Sequence, residues 1–191
     1  IDSDIGCLHT ESVGSHRYEV TVKTEGGHSY GMFGNKNAIA ELAKIVAEIY
    51  TVEVPDDGVH KTTYNVGTIE GGTSVNTIAQ SAKMLCEYRS DSVSDLKYME
   101  QRFSEIFENA RNRGIDVTVV RIGERPCSDN LDKNKQSELI SLCKEALQEV
   151  TDEEITEVPA STDCNIPHSL GIPAVAIGAI TGEGAHTREE Y

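Results

Sequence analysis

Across residues 16–24 apolar and polar side chains alternate, with Tyr18, Val20 and Val22 on one side, the two-residue period of a strand with one buried face. The run stops at Gly26-Gly27. Ala38, Leu42, Ile45, Val46 and Ile49 then recur at helical spacing, and Asn35 or Asn37 is placed to cap the start of that helix. Pro55-Asp56-Asp57-Gly58 is a turn cluster that ends it. A second strand is expected over 62–69, a break at Gly71-Gly72, and a third strand over 78–88. Leu96, Met99, Phe103, Ile106, Phe107 and Ala110 make a second amphipathic helix closed by Gly114, and 115–122 reads as a fourth strand.

This order, β-α-β-β-α-β, is the split arrangement of ferredoxin-like domains, a four-stranded antiparallel sheet with two helices on one face. The pattern changes after Pro126. A helix is expected over 134–150, a strand over 155–158, a short turn or helix over 163–170, and an apolar, buried strand over 173–177 before a glycine loop that reaches His186. These last residues read as one wing of a larger parallel sheet whose other strands must come from outside the chain. Three segments follow: 1–14, a hinge and the end of a preceding domain; 15–125, the ferredoxin-like unit; and 126–191, an incomplete α/β unit.

Charge narrows the partners. With 17 Lys and Arg against 32 Asp and Glu, the 191-residue chain carries a formal net charge of −15. Nucleic acid and anionic membranes both demand clustered positive charge, so neither is an expected partner. No segment reaches the run of about 20 apolar residues that spans a bilayer. Five cysteines, an odd number without close pairing, favour reduced thiols in a cytoplasmic setting over a disulfide framework. Cys86 falls in a strand-like run and reads as core.

Several residues could carry chemistry. His28 follows two glycines at a loop tip, and His186 lies beyond the last strand of an α/β unit, where ligand and metal sites gather. Arg89 and Arg125 stand at strand exits, and a guanidinium is the preferred clamp for a carboxylate. Asn76 closes a glycine-rich connection. Ser161-Thr162-Asp163 most simply supplies the N-cap of the short helix behind it. His9, His16, His60 and His168 read as solvated or packed.

Gly26-Gly27-His28-Ser29 before Asn37-Ala38-Ile39, Gly71-Gly72-Thr73-Ser74-Val75-Asn76-Thr77-Ile78, Ser161-Thr162-Asp163-Cys164-Asn165-Ile166-Pro167 with Leu170-Gly171-Ile172-Pro173-Ala174-Val175, and Gly184-Ala185-His186-Thr187 occur in that order. Together they resemble the dinuclear-zinc peptidases and deacylases that include glutamate carboxypeptidase, aminoacylase, acetylornithine deacetylase and the tripeptidases. In that family an α/β catalytic domain is interrupted by a ferredoxin-like lid that is also the dimer interface. The resemblance implies a homodimer acting on a small peptide or an N-acyl amino acid, with two zinc ions, or cobalt or manganese, in the full-length enzyme. It implies that His28 donates to the oxyanion across the dimer and that Asn76 binds substrate. It also implies that Arg89 and Arg125 bind the substrate carboxylate or support the site, that Ser161 lets that carboxylate approach the backbone, and that His186 is a zinc ligand.

The family's remaining metal ligands and its general base precede the lid and are not found in this sequence. The chain alone is therefore expected to be inactive, since a two-metal site needs both ions. His168 stands where the family usually has an apolar residue. A catalytically silent dimerisation or binding module is the alternative reading.

Overall fold

The computed structural model describes residues 4–179 and Arg188. Along the chain run β1 (Cys7–Ser12), β2 (Gly14–Lys23), β3 (Gly27–His28), α1 (Ala38–Ile49), β4 (Thr62–Gly71), β5 (Thr77–Ile78) and β6 (Ser81–Ser90). They are followed by α2 (Val93–Asn112), β7 (Asp116–Arg125), α3 (Lys133–Gln148), β8 (Thr156–Ala160), α4 (Asn165–Ser169) and β9 (Ala176–Ile177). Two compact units result, one of Ser15–Glu124 and one of Ile1–Gly14 with Arg125–Tyr191.

In the first unit the strands lie in the order β4-β6-β2-β7, with β4 and β6 antiparallel. This is the ferredoxin-like order. Val20 and Val22 of β2, with Ala82, Met84, Cys86 and Tyr88 of β6, bury one face of the sheet. Leu42, Ile45 and Ile49 of α1, with Met99, Phe103 and Phe107 of α2, supply the buried stripes of the helices. Burial pushes the Cys86 thiol up to about 12, so it stays protonated and inert. The helix starts are local chemistry. Asn37 Oδ1 accepts from the Ile39 and Ala40 N–H groups at 2.9 and 3.4 Å, and Ser92 Oγ accepts from Asp95 N–H at 3.2 Å. Gly114, at φ +75°, takes the left-handed turn that stops α2.

The third strand is shorter than the alternation predicts. Residues 77–78 form β5, which pairs with β3, and β6 begins only at Ser81. The Ala79 carbonyl accepts from Ala38 N–H at the start of α1 and from the Thr24 hydroxyl, both at 2.9 Å, so the backbone turns a corner here. Small and apolar residues, Ile78, Ala79 and Ala82, flank the corner, which is why the pattern reads across it as one strand.

A buried polar chain ties β2, β6 and β7. Arg121 Nη2 donates to Tyr18 Oη at 2.9 Å, Tyr18 and Tyr88 hydroxyls bond at 2.9 Å, and the Tyr88 hydroxyl meets His16 Nδ1 at 2.7 Å. Arg121 only donates, and an arrangement in which Tyr18 donates to Tyr88 and Tyr88 donates to a neutral His16 satisfies every group of the chain. Burial and the Arg121 charge hold the His16 pKa below its ordinary value, against the opposing pull of Glu124 and Glu100. A histidine depressed in the folded state supplies stability above its unfolded pKa of 6.5 that is lost as pH falls through the folded value. The thermal midpoint is therefore expected to fall between about pH 7 and about pH 5, above the range where carboxylates titrate. His16→Asn, which keeps an acceptor but cannot take up the proton, should flatten that slope. An equally steep slope in the variant would refute the assignment.

The second unit corrects the sequence reading. Its sheet has the order β8-β1-β9, with β1 parallel to β8 and antiparallel to β9. The apolar segment after Pro173 finds a partner within this chain, and that partner is antiparallel where a parallel one was expected. Only Ala176–Ile177 is extended, it is partly exposed, and its partner β1 comes from the start of this same chain. Buried polar side chains stitch this unit together. Gln136 Nε2 donates to the Thr10 and Ala174 carbonyls at 2.9 Å, and its Oε1 accepts from Ala174 N–H at 3.0 Å. His168 Nε2 donates to the Ala174 carbonyl at 2.8 Å while its Nδ1 faces Ser12 Oγ at 2.5 Å. These two bonds give a histidine its place where an apolar residue was expected. Among the described residues no helix is long and apolar enough to cross a membrane.

Candidate active-site face

His28 and Asn76 lie 48 positions apart in sequence, and the corner at Ala79 brings them together. The β3–β5 ladder pairs His28 with Thr77, and Ser29 N–H donates to the Asn76 carbonyl at 3.0 Å. The two side chains therefore stand on adjacent positions of one small ribbon, both exposed.

The loop that carries His28 is built, not floppy. Met32 N–H donates back to the His28 carbonyl at 2.9 Å, and Asn35 Nδ2 donates to the Gly26 carbonyl at 2.7 Å. Asn35 thus closes the loop and Asn37 alone caps the helix. Lys36 N–H donates to Glu25 Oε1 at 2.8 Å, which holds the Glu25 carboxyl below the usual carboxylate range. Gly27, at φ +135°, lies under Met32, whose Sδ would come within 2.5 Å of a side-chain Cβ there. Any larger residue would lift the loop.

Hydrogen bonding orients both polar groups as donors. Gly31 N–H donates to His28 Nδ1 at 3.3 Å, so the neutral ring carries its hydrogen on Nε2. The Ser74 hydroxyl donates to Asn76 Oδ1 at 2.6 Å, which leaves the Asn76 amide hydrogens to donate outward. An exposed imidazole N–H of this kind can donate to a carbonyl oxygen and stabilise negative charge that develops on it. Ser74 was quoted in the motif without a role, and no spacing rule singles it out.

Arg89 is placed elsewhere. Its Nε and Nη2 donate to Glu87 Oε1 and Oε2 at 2.7 and 3.1 Å, and Glu87 also accepts from Arg17 at 3.0 Å. Partial burial alone would raise the Glu87 pKa, yet the two arginines outweigh it and lower it, so the cluster stays ionised. Arg89 also lies eight residues along β6 from Ser81, roughly 26 Å at about 3.3 Å per residue, well away from the His28 ribbon in the same unit.

The second unit brings Arg125 and residues 161–165 together. Arg125 Nη1 lies 3.7 Å from Asp163 Oδ1. Asn165 Nδ2 donates to the Val13 and Pro126 carbonyls at 2.8 and 2.9 Å, while its Oδ1 accepts from Thr162 N–H at 2.8 Å. That buried amide pins the 161–165 loop beside the exit of β7. Of Ser161-Thr162-Asp163 it is Thr162 that serves the entry to α4, its Oγ1 accepting from Cys164 N–H at 3.2 Å. The N-cap position is Cys164, without a side-chain bond, and Ser161 Oγ is a buried atom with no partner among the described residues.

His186 lies outside the described residues. Among those described, no three His, Cys, Asp or Glu side chains converge as a metal site requires. The described residues therefore do not by themselves fit the zinc pair.

Known proteins were compared with this geometry. The family described as peptidase dimerisation domain matches residues 10–114. No curated protein matches the sequence. Among solved structures, aminopeptidase PepT from Bacillus cereus is similar at 21% identity and a TM-score of 0.68, covering 100% of this chain and 50% of its own. A tripeptidase from Staphylococcus aureus is similar at 20% identity and a TM-score of 0.67, covering 100% of this chain and 49% of its own. An aminobenzoyl-glutamate utilization protein from Klebsiella pneumoniae is similar at 16% identity and a TM-score of 0.71, with 93% and 47% covered. The chain thus spans about half the length of the structures it matches, and at these identities the likeness is one of fold.

Proposed function

The chain belongs to the peptidase dimerisation domain family, and from that premise we propose that it is the lid and part of the catalytic domain of a metal-dependent exopeptidase or N-acyl amino-acid hydrolase. The observation that carries this reading is the His28–Asn76 ribbon, whose two segments are paired through their backbones and whose two polar side chains are each oriented as donors. His28 Nε2–H would donate to the carbonyl oxygen of a peptide or amide as it gains charge, and Asn76 would hold the substrate beside it. Arg125, anchored in the other unit, is a candidate for the substrate's carboxylate, and Ser161 lies on the neighbouring loop. Arg89, committed to Glu87, is read as a support of the sheet surface. The metal ions would be held by residues beyond those described, His186 among them.

Self-association follows from the fold. β4 is an edge of the sheet, and Tyr50, the residue that ends α1, meets it by accepting from Val66 N–H at 3.3 Å and by packing on Tyr64, ring centroids 5.5 Å apart. An exposed edge invites a two-fold copy of itself. We propose a homodimer through β4 and α1.

The test is to assay the full-length protein on dipeptides and N-acyl amino acids with zinc, cobalt or manganese, and to measure its mass by light scattering. Metal-dependent hydrolysis by a dimer is expected. A monomer would overturn the interface, and no hydrolysis of either substrate class would overturn the activity in favour of a silent dimerisation module.

A further inference from the structure

The loop that aims His28 also displays three apolar side chains that the fold does not use. Tyr30 is 92% exposed, Phe33 is 91% exposed and Val75, beside Asn76, is fully exposed. Their neighbour Met32, half exposed, lies over Gly27 and is the better covered of the loop's large apolar side chains. Scattered exposed leucines are ordinary, but two aromatics and a valine, each within five residues of His28 or Asn76, concentrate exposed apolar surface on the two segments of one ribbon.

We propose that Tyr30 and Phe33, with Val75, form an apolar wall of the substrate pocket and set a preference for a large apolar side chain beside the bond that is cut. The inference rests on the hydrolase reading above and names the substrate class of the same site. Its basis is covalent and geometric. Tyr30 and Phe33 lie two and five residues beyond His28, within or beside the turn that the Met32 N–H closes onto the His28 carbonyl. Val75 immediately precedes Asn76, and the bond from Ser29 N–H to the Asn76 carbonyl holds its strand against the same ribbon. A substrate whose carbonyl reaches His28 Nε2 therefore lies within a side chain's length of these apolar surfaces. Glycine or alanine at that position would leave them wet. Leucine or phenylalanine would cover them, and an apolar contact of that size is worth roughly ten- to a hundredfold in kcat/KM.

The experiment uses the full-length dimer and two dipeptide or N-acyl series differing only in alanine against leucine or phenylalanine. In the wild-type enzyme the larger residue should be preferred. In the double variant Tyr30→Ala, Phe33→Ala the ratio of kcat/KM for leucine over alanine should fall about tenfold or more, and Phe33→Leu, which keeps an apolar surface, should retain most of it. Both side chains are exposed, so the variants should fold. A uniform loss on every substrate, or dissociation of the dimer in light scattering, would overturn the proposal by placing the aromatics against the partner subunit instead. An active enzyme with an unchanged ratio would overturn it alone. A wild-type enzyme inactive on all of these substrates would overturn the hydrolase reading and this inference with it.

Discussion

Replacing His28 by alanine in the full-length enzyme is expected to lower kcat about a hundred- to a thousandfold while KM changes little, the signature of a hydrogen bond made mainly in the transition state. The imidazole is exposed and its bond among the described residues is the one accepted from Gly31 N–H, itself exposed, so its removal leaves no buried group unsatisfied there. Folding stability should therefore stay within about 0.5 kcal/mol of wild type. Asn76→Ala should act in the same direction but less strongly, since binding contributes to ground state and transition state alike. Steady-state kinetics with a thermal melt on the same samples separates the two effects. Retention of hydrolysis within a few-fold in His28→Ala would remove this residue from the chemistry.

Phe103→Ala is expected to cost about 3 to 5 kcal/mol, the largest stability loss available in the ferredoxin-like unit. Phe103 is 1% exposed and is the hub of an aromatic cluster, edge-on to Tyr88 at 5.0 Å, Phe107 at 6.1 Å and Tyr64 at 6.2 Å. Truncation removes its buried area and leaves a cavity under three rings that helix and sheet hold apart. The chain has no tryptophan, and all its tyrosines except Tyr191 lie in Ser15–Glu124, so tyrosine fluorescence in urea reports on this unit. A shift in midpoint worth less than about 1 kcal/mol would mean that the cluster collapses to fill the gap.

The ferredoxin-like unit was legible because its signals are local. Tyr18, Val20 and Val22 repeat at two residues, Leu42, Ile45 and Ile49 at three to four, and Asn37 caps its helix through bonds to residues two and three positions on. Burial of one face imposes those periods, so the residues announce the elements before any contact is known. The candidate site was legible in a different way. His28 and Asn76 were marked by ordered motifs and by family resemblance, whereas composition and spacing alone favoured a surface histidine and a turn asparagine.

Three features were decided only by tertiary structure. Strand β1 escaped notice because its inward positions are Leu8, Thr10 and Ser12, and two hydroxyl residues on a buried face leave no hydrophobic period to read. Their burial depends on β8 and β9, more than 140 residues away. The corner at Ala79 was invisible because its cause is a hydrogen bond from a helix start about 40 positions earlier, and it is that corner which carries Asn76 to His28. Gln136, Asn165 and His168 looked like ordinary polar residues until distant groups, the Thr10 and Val13 carbonyls and the Ser12 hydroxyl, supplied their partners. What the sequence by itself determined about this protein is what repeats along the chain at the period of a helix or a strand. What needed the fold is every donor whose acceptor lies far along it, because a hydrogen bond leaves no periodic trace in the residues that make it.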